Sequence, residues 1–115
     1  MIKIEYCPEA FTLRASGHAG YAPPGQDIVC AAVSTLIQTL ALCVLGYTHG
    51  LEGEPTVTVG DVTKISCSPL PEREREISLI YWYCIYGLDA LCEKYPENIG
   101  ITVLRHEDLH TESQA

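Results

Sequence analysis

The chain has 115 residues, with seven lysines and arginines against fifteen aspartates and glutamates, for a formal net charge of −8. Apolar residues make up 47% of the sequence, which excludes a disordered chain, and the length predicts one domain over residues 1–115. A surface this acidic repels phosphate backbones, so we expect a basic partner and no direct contact with nucleic acid.

Two alternating segments at the N-terminus predict a β-hairpin. Apolar and polar side chains alternate over residues 2–6 and again over 11–16, as in strands that bury one face. Residues 7–9 contain a proline and predict the turn between the strands. Residues 17–26 are rich in glycine and proline and predict a loop, which we expect to be the most mobile internal segment.

A long uncharged segment follows this loop and predicts a helix. Asp27 suits the N-cap, and the helix is expected over residues 28–45, ending at Gly46. Residues 28–48 carry no charge and are long enough to span a bilayer. Polar residues interrupt their middle and no basic flank anchors either end, so we predict a buried helix and no membrane contact.

The second half of the chain again predicts two strands followed by a helix. Strands are expected over residues 56–60 and 62–67, joined by a tight turn, and a helix over 72–94. A last alternating strand is expected over residues 99–103. Residues 106–115 are polar and predict a loose tail.

The element order ββαββαβ predicts an α+β fold. We expect a two-layer sandwich, in which an antiparallel sheet of about five strands carries both helices on one face. The helical segments 28–45 and 77–86 are apolar on most sides, and one face of a sheet cannot bury all of that surface. A second copy of the chain is the simplest cover for the remaining apolar surface, so we predict a homodimer.

The cysteine and histidine pattern indicates reduced thiols and no bound metal. Six cysteines are present, but none form the closely spaced pairs that bind zinc or exchange disulfides. The N-terminus has no apolar segment typical of a secretory signal, so we expect a cytoplasmic protein. His106 and His110 have a metal-ligand spacing, but their place in the polar tail favours solvated side chains.

One thiol has a setting suited to nucleophilic chemistry. With Asp27 as N-cap, Cys30 is the third helical residue, where the helix dipole favours the thiolate. His18 lies twelve residues earlier and could take the thiol proton, as in a cysteine hydrolase. The negative charge of the Asp27 carboxylate destabilises the Cys30 thiolate. The capping hydrogen bond from the Cys30 amide to this carboxylate could outweigh that effect. The backbone amides of Val29 and Cys30 are candidates for an oxyanion hole, and Asp27 is the nearest candidate to orient His18.

Polar residues continue from this thiol along one side of the helix. Cys30, Ser34 and Gln38 are spaced at i, i+4 and i+8. They either form the floor of a cleft or face solvent and bond to neighbouring backbone. The spacing alone favours the second interpretation.

The run GHAGYAPPGQDIVCAAVS strongly resembles the signature of the ribosomal-processing cysteine protease family, Prp. That signature is Gly-His-Ala, a short variable loop, and then Gly-x-Asp-Ile-Val-Cys-Ala-Ala-Val-Ser. The specific match covers residues 16–39. Elsewhere the agreement is in length, element order and acidity.

The resemblance implies a specific activity. Members of this family are cytoplasmic, dimeric, cofactor-free endopeptidases of bacteria, which remove a short N-terminal extension from large-subunit ribosomal protein twenty-seven for ribosome assembly. By matching position, Cys30 is the nucleophile and His18 the general base. Gly17 is the hinge of a mobile loop, and Asp27 and Ser34 have supporting roles.

A second function of another class stays open beside the endopeptidase. The same cleft could hold a ribosomal protein without cleaving it, as a non-catalytic assembly factor. The presence of both His18 and Cys30 favours the enzyme, because a binding cleft needs neither.

Overall fold

The computed structural model describes residues 1–105 and 107–108. Strands and helices follow in the predicted order: β1 (Ile2–Cys7), β2 (Thr12–Ser16), α1 (Ile28–Gly46), β3 (Thr56–Thr58), β4 (Val62–Ser66), α2 (Glu74–Lys94) and β5 (Ile99–Val103). The second helix begins two residues later than predicted, because Pro71–Arg73 form a single 3-10 turn. The predictions for His106, His110 and most of the tail fall outside the described residues.

The five strands form one mixed sheet in the order β3-β4-β2-β1-β5. Three neighbouring pairs are antiparallel, but β5 runs parallel to β1, with Ile2 beside Ile99. The expectation of an antiparallel sheet is therefore wrong for this last pair. The reason is the connection, because α2 carries the chain back across the sheet so that β5 starts again in the direction of β4 and β1.

One face of the sheet carries both helices, as predicted. The side chains of Ile2, Ile4 and Tyr6 point to this face and are buried, while Glu5 on the opposite face pairs with Arg14 at 3.5 Å. The buried residues of both helices join the same cluster as these strand residues. On both helices they recur every three or four residues, with the adjacent pair Cys84 and Ile85 on α2, as expected for a single buried stripe: Val29, Val33, Ile37, Leu40 and Val44, then Ile77, Tyr81, Cys84, Ile85 and Leu88.

The outward sides of the two helices remain apolar and exposed. Leu42 on α1 is 71% exposed, and Tyr83 and Tyr86 on α2 are 69% and 63% exposed. The α1 helix is long and apolar enough to cross a membrane by length and composition alone, a test that a buried core helix also passes. The inner side of α1 packs into the core, whereas its outer side is apolar and exposed.

A glycine ends β2 where the chain passes very close to the start of β1. Gly17 has a φ of +85°, and a Cβ built there would lie 2.4 Å from the backbone oxygen of Met1. Any larger residue must therefore adopt a left-handed conformation and also displace the neighbouring backbone. Glycine is therefore required at position 17 by the close approach of the Met1 backbone, in addition to any role in loop flexibility.

We expect Gly17→Ala to lower the free energy of unfolding by about 1–3 kcal/mol more than Gly53→Ala does. Both glycines have a positive φ, but a Cβ at Gly53 meets nothing within 4 Å, so the pair isolates the clash with Met1. Urea denaturation of the two variants measures the difference. Equal losses of stability would show that the β1 backbone adjusts without cost.

Candidate active site

The Asp27 side chain caps α1 and fixes the first turn of the helix. Its Oδ1 atom accepts hydrogen bonds from the backbone N–H groups of Val29 at 3.0 Å and Cys30 at 2.9 Å. Asp27 itself is extended, as an N-cap residue should be. The predicted cap is confirmed, and Cys30 is the third residue of the helix.

The second oxygen of the same carboxylate holds the preceding loop. Oδ2 accepts from the N–H groups of Tyr21 at 3.1 Å and Ala22 at 3.4 Å. Backbone hydrogen bonds, above all from Cys30, lower the pKa of Asp27, so the group stays ionised below the usual range of a carboxyl. Asp27 therefore joins the loop to the helix through one charged group.

The loop turns inward at Ala19 and brings a backbone donor to the thiol. The Ala19 N–H lies 3.3 Å from Cys30 Sγ, and Ala19 is only 3% exposed. Cys30 is half-buried, whereas the adjacent His18 is exposed. The thiol thus sits at a surface opening with a hydrogen-bond donor directed at its sulfur.

All five site residues predicted from the sequence line two adjoining cavities. A cleft of about 300 Å³ between α1 and the β3–β4 hairpin is lined by Gly17, His18, Cys30 and Ser34. A neighbouring cavity of about 580 Å³ under the loop shares His18, Cys30 and Ser34 with this cleft and adds Asp27. The structure therefore places the histidine and the thiol at one opening, as the sequence predicted.

The polar stripe along α1 forms one wall of this cleft. Ser34 and Gln38 both line it beside Cys30, and both are exposed. The structure therefore supports the floor of a cleft, which is the interpretation that the spacing alone did not favour. A peptide lying over Cys30 would contact the hydroxyl and the amide in turn.

Two predictions about supporting groups are wrong. The N–H groups of Val29 and Cys30 both donate to Asp27, so they are occupied and do not form a ready oxyanion hole. The carboxylate of Asp27 accepts four backbone N–H groups, so its bonds orient the loop and the helix and not the His18 imidazole. Local spacing suggested both roles because it does not show which donor reaches which oxygen.

Several residues far along the chain complete the site. The side-chain amide of Asn98 donates to the Ala19 oxygen at 2.9 Å, and the ring of Tyr95 packs edge-on against Tyr21 at 5.5 Å. At the tip of the β3–β4 hairpin, Val59 and Asp61 form the wall opposite α1. Asn98 is 79 residues from Ala19, and no local pattern in the sequence indicates these contacts.

Among residues 1–105 and 107–108, no group of three or more histidine, cysteine, aspartate or glutamate side chains could hold a metal ion. The ionisable side chains that line the two cavities are His18, Asp27, Cys30 and Asp61. His18 and Cys30 therefore supply an imidazole and a thiol to the lining of the same two cavities.

Comparison with known proteins assigns the family. The family model described as cysteine protease Prp matches residues 1–100. The ribosomal processing cysteine protease Prp of Mycoplasma pneumoniae is 31% identical over 108 residues, which cover 94% of this chain and 100% of the relative. The chain belongs to the cysteine protease Prp family.

Solved structures share the fold. An essential ribosomal processing protease Prp from Staphylococcus aureus, in complex with a covalently linked product peptide, matches with a TM-score of 0.75 at 23% identity, over 90% of this chain and 100% of that one. A structure of the same protease with a substrate peptide matches with a TM-score of 0.69 at 23% identity and the same coverage. The two-helix, mixed-sheet architecture is therefore that of these proteases.

We expect Asp27→Asn to release the loop and to reduce peptide cleavage by about 10- to 100-fold, because an amide presents one acceptor atom where the carboxylate presents two. Hydrogen exchange at the Tyr21 and Ala22 amides should accelerate, while Asn still caps the helix. A free carboxyl titrates near 3.8, and the pKa of Asp27 is lower.

The sign of the pH dependence follows from that lowered pKa. The anchoring by Asp27 is fully present above the ordinary carboxyl range and is lost only as the pH falls through the lower value of the folded protein. Exchange at Tyr21 in the native chain should therefore stay slow down to that pH. Fast exchange at neutral pH, or unchanged exchange in Asp27→Asn, would contradict the role of this carboxylate.

Proposed function

We propose that the chain is an endopeptidase that removes the N-terminal extension of large-subunit ribosomal protein twenty-seven during ribosome assembly. The observation that carries the proposal is the Cys30 thiol in the opening of a cleft, with His18 on the same cleft and the Ala19 N–H at 3.3 Å from its sulfur. The relative from Mycoplasma pneumoniae, which bears the name of a ribosomal processing protease, supports a ribosomal protein as the substrate class, and the choice of protein twenty-seven rests on the signature resemblance.

In the first half of the reaction, His18 takes the proton of Cys30, and the thiolate attacks the scissile carbonyl carbon. A C–S bond forms as the carbonyl π electrons move to oxygen. When the tetrahedral intermediate collapses, the C–N bond breaks and the His18 imidazolium gives its proton to the leaving amine. The products are an acyl-enzyme and the free C-terminal part of the substrate.

In the second half, His18 removes a proton from water, and the resulting hydroxide attacks the thioester carbon. The C–S bond breaks, the thiolate is restored, and the N-terminal peptide leaves as a carboxylic acid. The Ala19 N–H donates to the sulfur at 3.3 Å, where it can stabilise the thiolate that attacks the carbonyl and later leaves the acyl-enzyme.

The charge of the chain suits a basic substrate. No lysine or arginine is among the described residues that line the two cavities, whereas Asp61 lines the cleft with an exposed carboxylate. The net charge of −8 would attract a basic ribosomal protein and speed the encounter. A cytoplasmic location and the absence of direct nucleic-acid contact are part of this proposal.

Incubation with full-length ribosomal protein twenty-seven of the host should remove its N-terminal extension, seen as a mass loss at that end. Cys30→Ala and His18→Ala should abolish the mass loss, because one removes the atom that forms the acyl-enzyme and the other removes its base. Cys43→Ser is the matched control, since this exposed thiol lies outside both cavities. Tight binding of the substrate by the native protein without cleavage would support the assembly factor instead.

The other thiols make a sharp alkylation experiment possible. Burial raises the pKa of Cys67, and burial together with nearby Cys43 raises the pKa of Cys84 to about 12, so both are poor nucleophiles. Cys43 is exposed in the single chain, and its replacement removes any competition for reagent. In the Cys43→Ser variant, a limiting amount of alkylator should modify Cys30, and cleavage activity should fall in proportion to the labelled fraction. Labelling of another cysteine with an equal loss of activity would contradict the assignment of Cys30 as the nucleophile.

The exposed apolar sides of the helices fit a second copy of the chain. Leu42 and Tyr83 lie on this surface, next to a cavity of about 260 Å³ between the helices that is lined by Leu36, Thr39, Leu40, Cys43, Ile80, Tyr83 and Cys84. A dimer through this surface would cover Cys43 and the outer side of α1 while leaving the cleft accessible. We therefore include a homodimer in the proposed function.

We expect Tyr83→Glu to convert the protein from dimer to monomer in sedimentation velocity at micromolar concentration, because a charge would be buried in an apolar interface of about 2,000 Å². Val62→Glu is the control, since Val62 is 51% exposed on the strand β4 and away from the helices. A native protein that sediments only as a monomer would exclude the dimer.

A further inference from the structure

We propose that Asn98 is a positioning residue for catalysis, which fixes Ala19 so that the Ala19 N–H faces the Cys30 sulfur. The catalytic consequence rests on the proposed function, but the geometry and its effect on the thiol do not. Asn98 touches neither cavity, so it acts through Ala19 alone.

The backbone of Asn98 is held from two directions. Its N–H donates to the Tyr95 oxygen at 3.0 Å, at the end of α2, and its own oxygen accepts from the Ile2 N–H at 2.9 Å, at the start of β1. Asn98 itself is half-buried. The side chain therefore starts from a fixed point on the sheet and not from a free loop.

The side-chain amide of Asn98 donates to the Ala19 oxygen at 2.9 Å. A carbonyl oxygen only accepts, so this bond also sets which end of the amide points to the loop. Ala19 is thus held at its oxygen by Asn98, while its N–H meets Cys30 Sγ at 3.3 Å. Asp27 holds the next residues, Tyr21 and Ala22, but no contact of Asp27 reaches Ala19.

Two chemical consequences follow from a fixed Ala19. An N–H directed at sulfur stabilises the thiolate relative to the thiol, because the charged form is the stronger acceptor. His18 directly precedes Ala19, so the same anchor sets the backbone position from which the imidazole extends. Without the Asn98 bond, both the donor and the base would sample positions away from the sulfur.

The test compares Asn98→Asp and Asn98→Ala in a Cys43→Ser background. Asp keeps the shape of Asn but replaces the donor with an acceptor opposite the Ala19 oxygen, while Ala removes the side chain. Glu97→Gln, an exposed neighbour in the same turn, is the control. The readouts are the rate of Cys30 alkylation by iodoacetamide against pH, hydrogen exchange at the Ala19 amide, and peptide cleavage.

We expect both Asn98 variants to be alkylated about 3- to 10-fold more slowly near neutral pH and to reach the native rate at alkaline pH, where every exposed thiol is ionised. Exchange at Ala19 should accelerate, and Glu97→Gln should match the native protein. An equal slowing at all pH values with a lower Tm would reduce Asn98 to a structural residue and overturn the proposal. Native alkylation and exchange in both variants would overturn it as well.

Failure of the proposed function has a different signature. If the native protein cleaves no ribosomal protein, the cleavage readout is zero for every variant. The alkylation profile and the Ala19 exchange still decide whether Asn98 positions the donor at the Cys30 sulfur.

Discussion

The double role of the Asp27 carboxylate is the constraint on which the site depends. One oxygen satisfies the first free N–H groups of α1, and the other satisfies N–H groups of the loop that precedes the helix. Asn98 and Tyr95 hold the same loop at Ala19 and Tyr21, whereas residues 23–26 are exposed. Backbone donors, above all Cys30, lower the pKa of Asp27 itself, while the Ala19 N–H faces the Cys30 sulfur.

The direction of β5 matters for the site as well as for the sheet. Because β5 runs parallel to β1, the turn that precedes it lies at the start of β1, which is the end where β2 leaves the sheet for the loop. Asn98 and Tyr95 lie at this turn and contact the loop from there. An antiparallel β5 would place its preceding turn at the opposite end, far from Cys30.

The cleft and the outer sides of the helices are separate surfaces of the molecule. The cleft lies between α1 and the β3–β4 hairpin, where the helix offers a polar stripe and the hairpin offers Val59 and Asp61. The outer sides of both helices are apolar and carry none of the loop that forms the site. A partner on the helices and a peptide in the cleft therefore do not compete for the same residues.

The sequence by itself determined the order of the elements, the alternation that gives the strands a buried face, the cap at Asp27, and the place of Cys30 at the start of α1. Each of these depends on residues a few positions apart. Local spacing also made His18 and Ser34 candidates, and the family signature added Gly17. The parallel β5, the exposed Cys43, and the contact of Asn98 with Ala19 were decided only by the tertiary structure. Periodicity records which side of an element is apolar, but not which way a crossover returns the chain or which donor, 79 residues away, reaches a given oxygen.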